Sequence, residues 1–270
     1  MTYFKSRVMR FLILLFFLTA FLYKPQICYA TPKKTTDKNF TLISSFSTEY
    51  SANQKERVHN LKRASSKIDG YFLDIGEEFS FNAVVGIRNK ANGFLPATII
   101  KDGKFSEGIG GGVCQVSTTL YNAVLLAGLT VTECHAHSLR VSYILPSFDA
   151  MVSYGYADLK FINDKALPLY IRIYASDTKI TVKIYGESDG YQYKRVSEKV
   201  KEITPPPPDI IYSNEIEQEE ILSNAKNGLI SNGYLVKYKG DKIIEKTLIR
   251  KDKYLPIKGV IIKPEIIEEN

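Results

Sequence analysis

Tryptophan is absent from the 270 residues, and cysteine, histidine and methionine occur three times each. Three cysteines are too few to build a disulfide scaffold. The longest apolar run, Phe11 to Tyr23, is broken only by Thr19 and is shorter than the ~20 residues that a membrane helix needs, so a multi-span membrane protein is excluded. No basic run with interleaved aromatics occurs, and no helix-turn-helix or zinc-finger spacing, so nucleic acid is not an expected partner. No long repeat is present. The remaining composition, 44% hydrophobic and 24% charged, is that of a globular chain long enough for one or two domains with a real core.

The formal charge of +7 comes from 36 basic and 29 acidic residues. Lys5, Arg7, Arg10 and Lys24 fall within residues 1–30, which hold no acidic residue. With the short apolar run and the small Ala30, this segment reads as a secretory signal peptide cleaved after Ala30, the alternative being an uncleaved anchor. Without it the chain is only mildly basic. Any membrane contact is expected through this segment alone.

Residues 31–54 read as a leader, with a short strand at Leu42–Phe46. Val58, Leu61, Ala64 and Ile68 recur at helical spacing, which predicts a helix over Asn53–Ile68. His59 reads as a surface residue of that helix. Extended chain follows over Tyr71–Phe81, turned at Gly76. A glycine loop, Gly108–Gly112, then leads into a helix from Val113 to Ala127, on which Val116, Leu120, Ala123, Val124 and Ala127 mark the buried positions, and Gly128 stops it. Extended segments are expected over Leu129–Tyr143, Ala150–Tyr156, Asp158–Ile162, Leu169–Tyr174 and Lys179–Tyr185. The four prolines Pro205–Pro208 mark a stiff linker, 191–210, between a domain at 55–190 and a small β module at 211–270. In that module Gly240-Asp241 is a hairpin signal. The expected fold class is α+β: a central helix after a Gly-rich loop, packed on a mainly antiparallel sheet, plus the β module.

Three features converge on chemistry. Cys114 sits just after the glycine loop and at the start of a helix, where orphan N–H groups and the helix dipole favour a thiolate. The loop Gly110, Gly111, Gly112 and Val113 could hold a developing oxyanion. The bland alternative is a buried cysteine packing as a small hydrophobe. In Cys134-His135-Ala136-His137, an extended backbone would put His135 and His137 on one face with Glu133 and Leu139, and Cys134 on the other. Such a pair can place a base beside a thiol or bind a metal. Asp149, Asp158 and Asp164 are candidates for the acid that orients a histidine. A Cys114–Cys134 disulfide is a rival reading that would remove the nucleophile.

These residues resemble the VanW family. The resemblance is carried by Asp74–Asn82, by Gly108–Ala123 (GIGGGVCQVSTTLYNA), by His135-Ala136-His137-Ser138, and by Asp149-Ala150 through Tyr154-Gly155 to Asp158–Phe161, so it spans roughly 55–186. The tail after the prolines resembles part of a G-five module, a β ribbon often attached to cell-wall proteins. The family resemblance implies an exported, extracytoplasmic protein, secreted or cell-wall associated, of Gram-positive type and linked to glycopeptide resistance. Some VanW domains are associated with L,D-transpeptidase activity, which forms 3-3 cross-links in peptidoglycan with a cysteine nucleophile. Carried onto this chain, the resemblance makes Cys114 the nucleophile and His135 or His137 the base, with Asp149 or Asp158 as orienting acid. Gln115, Ser117, Ser138 and Tyr154 are the candidates to bind substrate. The family pattern has a basic residue where this chain has Cys134.

The expected function is therefore cysteine-dependent acyl transfer on peptidoglycan stem peptides, as a transpeptidase or a carboxypeptidase, with no metal or diffusible cofactor. Two alternatives stay open. One is a non-enzymatic wall-binding or scaffolding protein that uses its 18 tyrosines and its β tail. The other is a zinc hydrolase built on Cys114, His135 and His137.

Overall fold

Alternating side chains set the main layer. In the computed structural model, which describes residues 40–101 and 103–265, Leu169, Ile171 and Ile173 of β8 (Leu169–Ala175) and Ile180, Val182 and Ile184 of β9 (Lys179–Gly186) are all buried. Spacing by two puts these six side chains on one face. The two strands lie in an antiparallel sheet of order β1-β9-β8-β2, completed by β1 (Thr41–Glu49) and β2 (Tyr71–Leu73). Helices α1 (Lys55–Ile68) and α3 (Val113–Leu126) cover this sheet. Helix α1 is amphipathic, burying Leu61, Ala64 and Ile68. Helix α3 is enclosed on nearly every side, as expected of a helix with no charged residue.

A second, three-stranded sheet has the order β3-β7-β6. It consists of β3 (Glu78–Ser80), β6 (Thr130–Glu133) and β7 (Lys160–Ile162). Phe79 and Phe161 stack across it with ring centroids 4.8 Å apart. The short helix α2 (Phe81–Val85) follows β3 directly. A hairpin of β4 (Pro96–Lys101) and β5 (Lys104–Ile109) carries the chain into the glycine loop.

The tail holds two more sheets. One is antiparallel, order β10-β13-β14, from β10 (Gln192–Ile203), β13 (Gly228–Lys239) and β14 (Lys242–Tyr254). The other places β15 (Val260–Pro264) between β11 (Asp209–Ser213) and β12 (Glu220–Ser223). Gly240, at φ 58, turns the β13–β14 hairpin where Gly240-Asp241 predicts it.

The chain is thus sheet-rich with few helices, compatible with α+β. Four expectations differ from it. Thr41–Glu49, assigned to a leader with only a short strand inside it, is a nine-residue strand of the main sheet. Its inward positions are polar: Ser44 Oγ donates to Ala123 O at 2.8 Å and Thr48 Oγ1 meets Thr119 Oγ1 at 2.8 Å. A reading of hydrophobic periodicity does not register the full length of such a strand. The expected linker 191–210 is mostly β10, leaving only Tyr191 and Thr204–Pro208 without regular structure. Because β10 pairs with β13, the prolines interrupt the tail rather than precede it. Strand β6 ends at Glu133, well short of Tyr143, and Ala150–Tyr156 contributes only isolated bridges. The proposed signal peptide or anchor lies outside the described residues. Among the described residues no helix is long and apolar enough to cross a membrane.

Candidate active site

The glycine loop is shaped by what stands behind it. Gly112 caps α3 at φ 105, a region open to glycine and strained for other residues. A Cβ on Gly111 would stand 2.5 Å from Thr98 O on β4. Only a bare backbone lets the loop lie this close to the hairpin, and the next turn then presents Cys114. The Cys114 thiol is partly exposed in a cleft of ≈ 870 Å³, which Arg57, Arg88, His137 and Tyr154 also line. Its Sγ lies 3.5 Å from Val152 O, to which it donates.

His137 approaches Cys114 from the segment after β6. The ring is buried, and its Nδ1 is 2.7 Å from Asp149 Oδ2. The same oxygen accepts the His137 backbone N–H at 2.7 Å. With Nδ1 engaged, Nε2 is the nitrogen left for the thiol. Burial raises the Cys114 pKa, but the hydrogen bond and charge of His137 outweigh it, helped by the Arg88 guanidinium, and the net direction is downward. Burial alone would lower His137; hydrogen bonds to Asp149 and Cys114 carry it up to about 9. Asp149, also buried, is held down to about 2 because the His137 hydrogen bond and charge, with Arg250, overcome its desolvation. The shifts of the three groups all run toward charge: the thiol down, the imidazole up and the carboxyl down.

Other residues singled out by sequence fall in different places. His135 does not join the thiol: its Nε2 lies 3.0 Å from Glu133 Oε1, on the more exposed side of the segment. The two histidines part because β6 stops at Glu133 and the alternation expected of a continuous strand lapses there. Asp158 works at the start of α2, accepting from Ser80 Oγ at 2.6 Å and from Asn82 N–H at 2.9 Å. Asp164 is bonded to Thr130 Oγ1. Gln115 touches the cleft but is bonded to Arg57, Thr48 and the Glu49 carbonyl. Ser117 Oγ donates to Ala150 O at 2.6 Å. Ser138 lies away from the cleft lining, and its carbonyl accepts the Leu255 N–H. Tyr154 lines the cleft and is exposed. In the loop, Val113 N–H is engaged by Gly110 O at 3.1 Å.

Both cysteines are free thiols, so the disulfide reading does not describe this structure. Desolvation drives the Cys134 pKa up to about 12. With His135 turned to Glu133, the Cys114–His135–His137 ligand set is not assembled. Among the described residues no three His, Cys, Asp or Glu side chains come together as a metal-binding group.

Three residues at the site carry no local sequence signal. Arg88 lines the cleft, with both terminal nitrogens buried and without a hydrogen-bond partner among the described residues. Arg250 and Tyr254 come from β14, about a hundred residues downstream of Asp149. Arg250 Nη1 donates to Cys134 Sγ at 3.3 Å. Its guanidinium thus stands beside the position where the family pattern has a basic residue.

Comparison with known proteins adds a family. The chain is 38% identical over 144 residues to the uncharacterized protein YoaR of Bacillus subtilis, covering 53% of this chain and 48% of that one. It is 30% identical over 139 residues to the vancomycin B-type resistance protein VanW of Enterococcus faecalis, covering 50% of each. The chain therefore spans about half the length of these curated relatives. It also overlaps the solved G-five domain of an IgA1 protease over 30% of this chain and 98% of that one, at 10% identity and a TM-score of 0.19. A likeness that low carries no functional weight. Residues 56–185, which hold Cys114, His137 and Asp149, match the family described as VanW like protein, and this segment of the chain is a VanW-family domain.

Proposed function

We propose that the protein is an extracytoplasmic cell-wall enzyme that transfers acyl groups of peptidoglycan stem peptides through Cys114. The observation that carries this reading is the Cys114–His137–Asp149 alignment at the wall of an open cleft. A thiolate paired with an imidazolium is both nucleophile and proton donor in one unit. The Cys114 Sγ attacks the carbonyl carbon of the third stem residue and forms a C–S bond. The carbonyl electrons move onto oxygen, facing the Cys114 and Gly112 N–H groups at the start of α3. Val113 N–H is already engaged and is not assigned to this task. As the tetrahedral intermediate collapses, the C–N bond to the terminal D-residue breaks and His137 gives its proton to the departing amine. The product is a thioester on Cys114. An amine from a neighbouring stem then attacks the thioester carbonyl and forms a C–N bond, His137 takes the proton from that amine, and the C–S bond breaks to release the new amide and restore the Cys114 thiolate. Water in place of the amine gives a carboxypeptidase. Asp149 holds the imidazole in one tautomer and stabilises its charged form throughout.

The basic N-terminal segment and the relative named for vancomycin resistance support a site of action at the cell wall. The G-five resemblance of the tail is part of the same proposal. The test is to incubate the full chain with tetrapeptide-stem muropeptides and an acceptor stem, and to follow products by mass spectrometry beside Cys114→Ala. Loss of the terminal D-residue, with or without a new cross-link, only in the wild type supports the mechanism. Binding without any covalent change favours a scaffolding role.

A further inference from the structure

Asp149 Oδ2 is fully used by His137. The other oxygen, Oδ1, is held by the far end of the chain. Tyr254 Oη donates to it at 2.6 Å, and Arg250 Nη2 lies 3.3 Å away. Arg250 Nη1 also donates to the Asp149 backbone carbonyl. Arg250, Asp252 and Tyr254 alternate along β14 and so face the same way. Asp252 braces the guanidinium at 3.0 Å. Tyr254 is 1% exposed, and its Oη also accepts the Ser147 N–H at 2.7 Å. Further bonds fasten the same two segments: Leu255 N–H to Ser138 O at 2.7 Å, and Ser147 Oγ with Ser231 Oγ at 2.7 Å. Gly233 of β13 runs so close to Ser147 that a Cβ there would lie 2.8 Å from the serine Cβ.

We infer that Arg250 and Tyr254 are positioning residues of the catalytic centre, and that the C-terminal module is a working part of the catalytic unit. This rests on the Cys114 reading above. A buried carboxylate keeps its charge and its rotamer only if both oxygens are satisfied. The tail satisfies one oxygen and the His137 segment the other, and the carboxylate so fixed keeps His137 charged against the Cys114 thiolate. On the cleft side Arg88 and Tyr143 also face Cys114. On the side facing β14 the neighbours are Cys134 and Tyr121, both raised by burial, and Asp252. Arg195 also reaches this side, over the Phe148 ring and bonded to Asn122 Oδ1, but among the described residues Arg250 is the cation bonded to Asp149. The sheet β10-β13-β14 thus clamps the acid of the relay, a role distinct from anchoring the protein to the wall.

The experiment measures the rate at which iodoacetamide alkylates Cys114 as a function of pH, by mass spectrometry. It uses the full chain and the variants Tyr254→Phe, Arg250→Gln and Arg250→Lys. Lys246→Gln, on the same strand but paired with Glu198 at the surface, is the control. Folding of each variant is checked by circular dichroism. The expected result is a displacement of the alkylation profile to higher pH in Tyr254→Phe and Arg250→Gln, by about one unit, or about tenfold slower alkylation near pH 6.5. Arg250→Lys regains most of the loss, and Lys246→Gln matches the wild type. Wherever turnover is measurable, kcat falls and KM holds. A wild-type profile in folded Tyr254→Phe and folded Arg250→Gln overturns the inference. If Arg250→Gln does not fold, Tyr254→Phe and Arg250→Lys decide it. A wild-type protein whose Cys114 titrates like a free thiol refutes the Cys114 reading itself, whereas a depressed wild-type profile unmoved by the variants refutes only the role of the tail.

Discussion

Asp149 Oδ2 receives two donors from one residue, the backbone N–H and the ring Nδ1 of His137, each at 2.7 Å. These two hydrogen bonds to a single oxygen fix both where the imidazole sits and which nitrogen it turns toward Cys114. An amide in place of the carboxylate keeps the shape but cannot accept in the same way or hold a charged ring. Asp149→Asn is expected to lower kcat by about 10³–10⁴, the scale found when the acid of a nucleophile–His–Asp relay is neutralised. KM should change little. Steady-state kinetics on a muropeptide donor checks this.

The two thiols should behave as opposites. Both are partly exposed residues, but the Cys114 pKa is pulled down by His137 against its burial, whereas Cys134 is pushed up to about 12 by burial. At pH 6.5 iodoacetamide should enter Cys114 in preference to Cys134, with peptide mapping to locate it. His137→Ala should slow this reaction and leave Cys134 unmodified. Arg88→Gln should slow it less, since the guanidinium is the last of the influences lowering the thiol.

Acid stability follows from Asp149. Its folded pKa is about 2, against 3.8 for the ordinary carboxyl. The unfolded chain therefore takes up a proton at higher pH than the folded one. The stabilisation is present above about pH 4 and is lost as pH falls through 2. With a difference of nearly two units, it amounts to about 2 kcal/mol. Urea denaturation at pH 5, 4, 3 and 2.5 should show this decline in the wild type and a shallower one in Asp149→Asn. Glu133 is also held low, chiefly by its hydrogen bond to Lys160, but that pair is more exposed and screened by solvent.

Gly111 is a test of the loop. A methyl there meets Thr98 O and the Ala97 backbone within 2.7 Å, and backbone on both sides leaves no flexible group to yield. Gly111→Ala should cost about 1–3 kcal/mol of stability and displace Cys114 from His137. Thermal denaturation measures the first effect, and the Cys114 alkylation rate the second.

Sequence made the centre of this site legible and left its surroundings dark. Gly110–Gly112 followed by Cys114 and an unbroken run of helical spacing identifies α3 and the thiol, because both the turn chemistry and the period are local. Asp149 was among three acids, and only tertiary structure separates it from Asp158, which caps α2, and Asp164, which binds Thr130. The choice between His135 and His137 depended on where β6 ends, and a strand end carries little local signal. Ser44 and Thr48 hid the full length of β1, of which Leu42–Phe46 alone read as strand, since buried hydroxyls read as loop chemistry. Arg250 and Tyr254 were out of reach for another reason: their role comes from pairing β14 against a segment about a hundred residues away, which no local pattern encodes.

The central claim is that Cys114 carries the acyl group. Intact-mass spectrometry of the full chain, quenched at short times after mixing with a tetrapeptide-stem donor and no acceptor, tests it directly. The mass should rise by that of the donor less its terminal D-residue and the proton replaced on sulfur. The adduct should map to Cys114 and be removed by hydroxylamine. Cys114→Ala should show neither adduct nor product. Release of the terminal residue by Cys114→Ala at the wild-type rate would contradict the account.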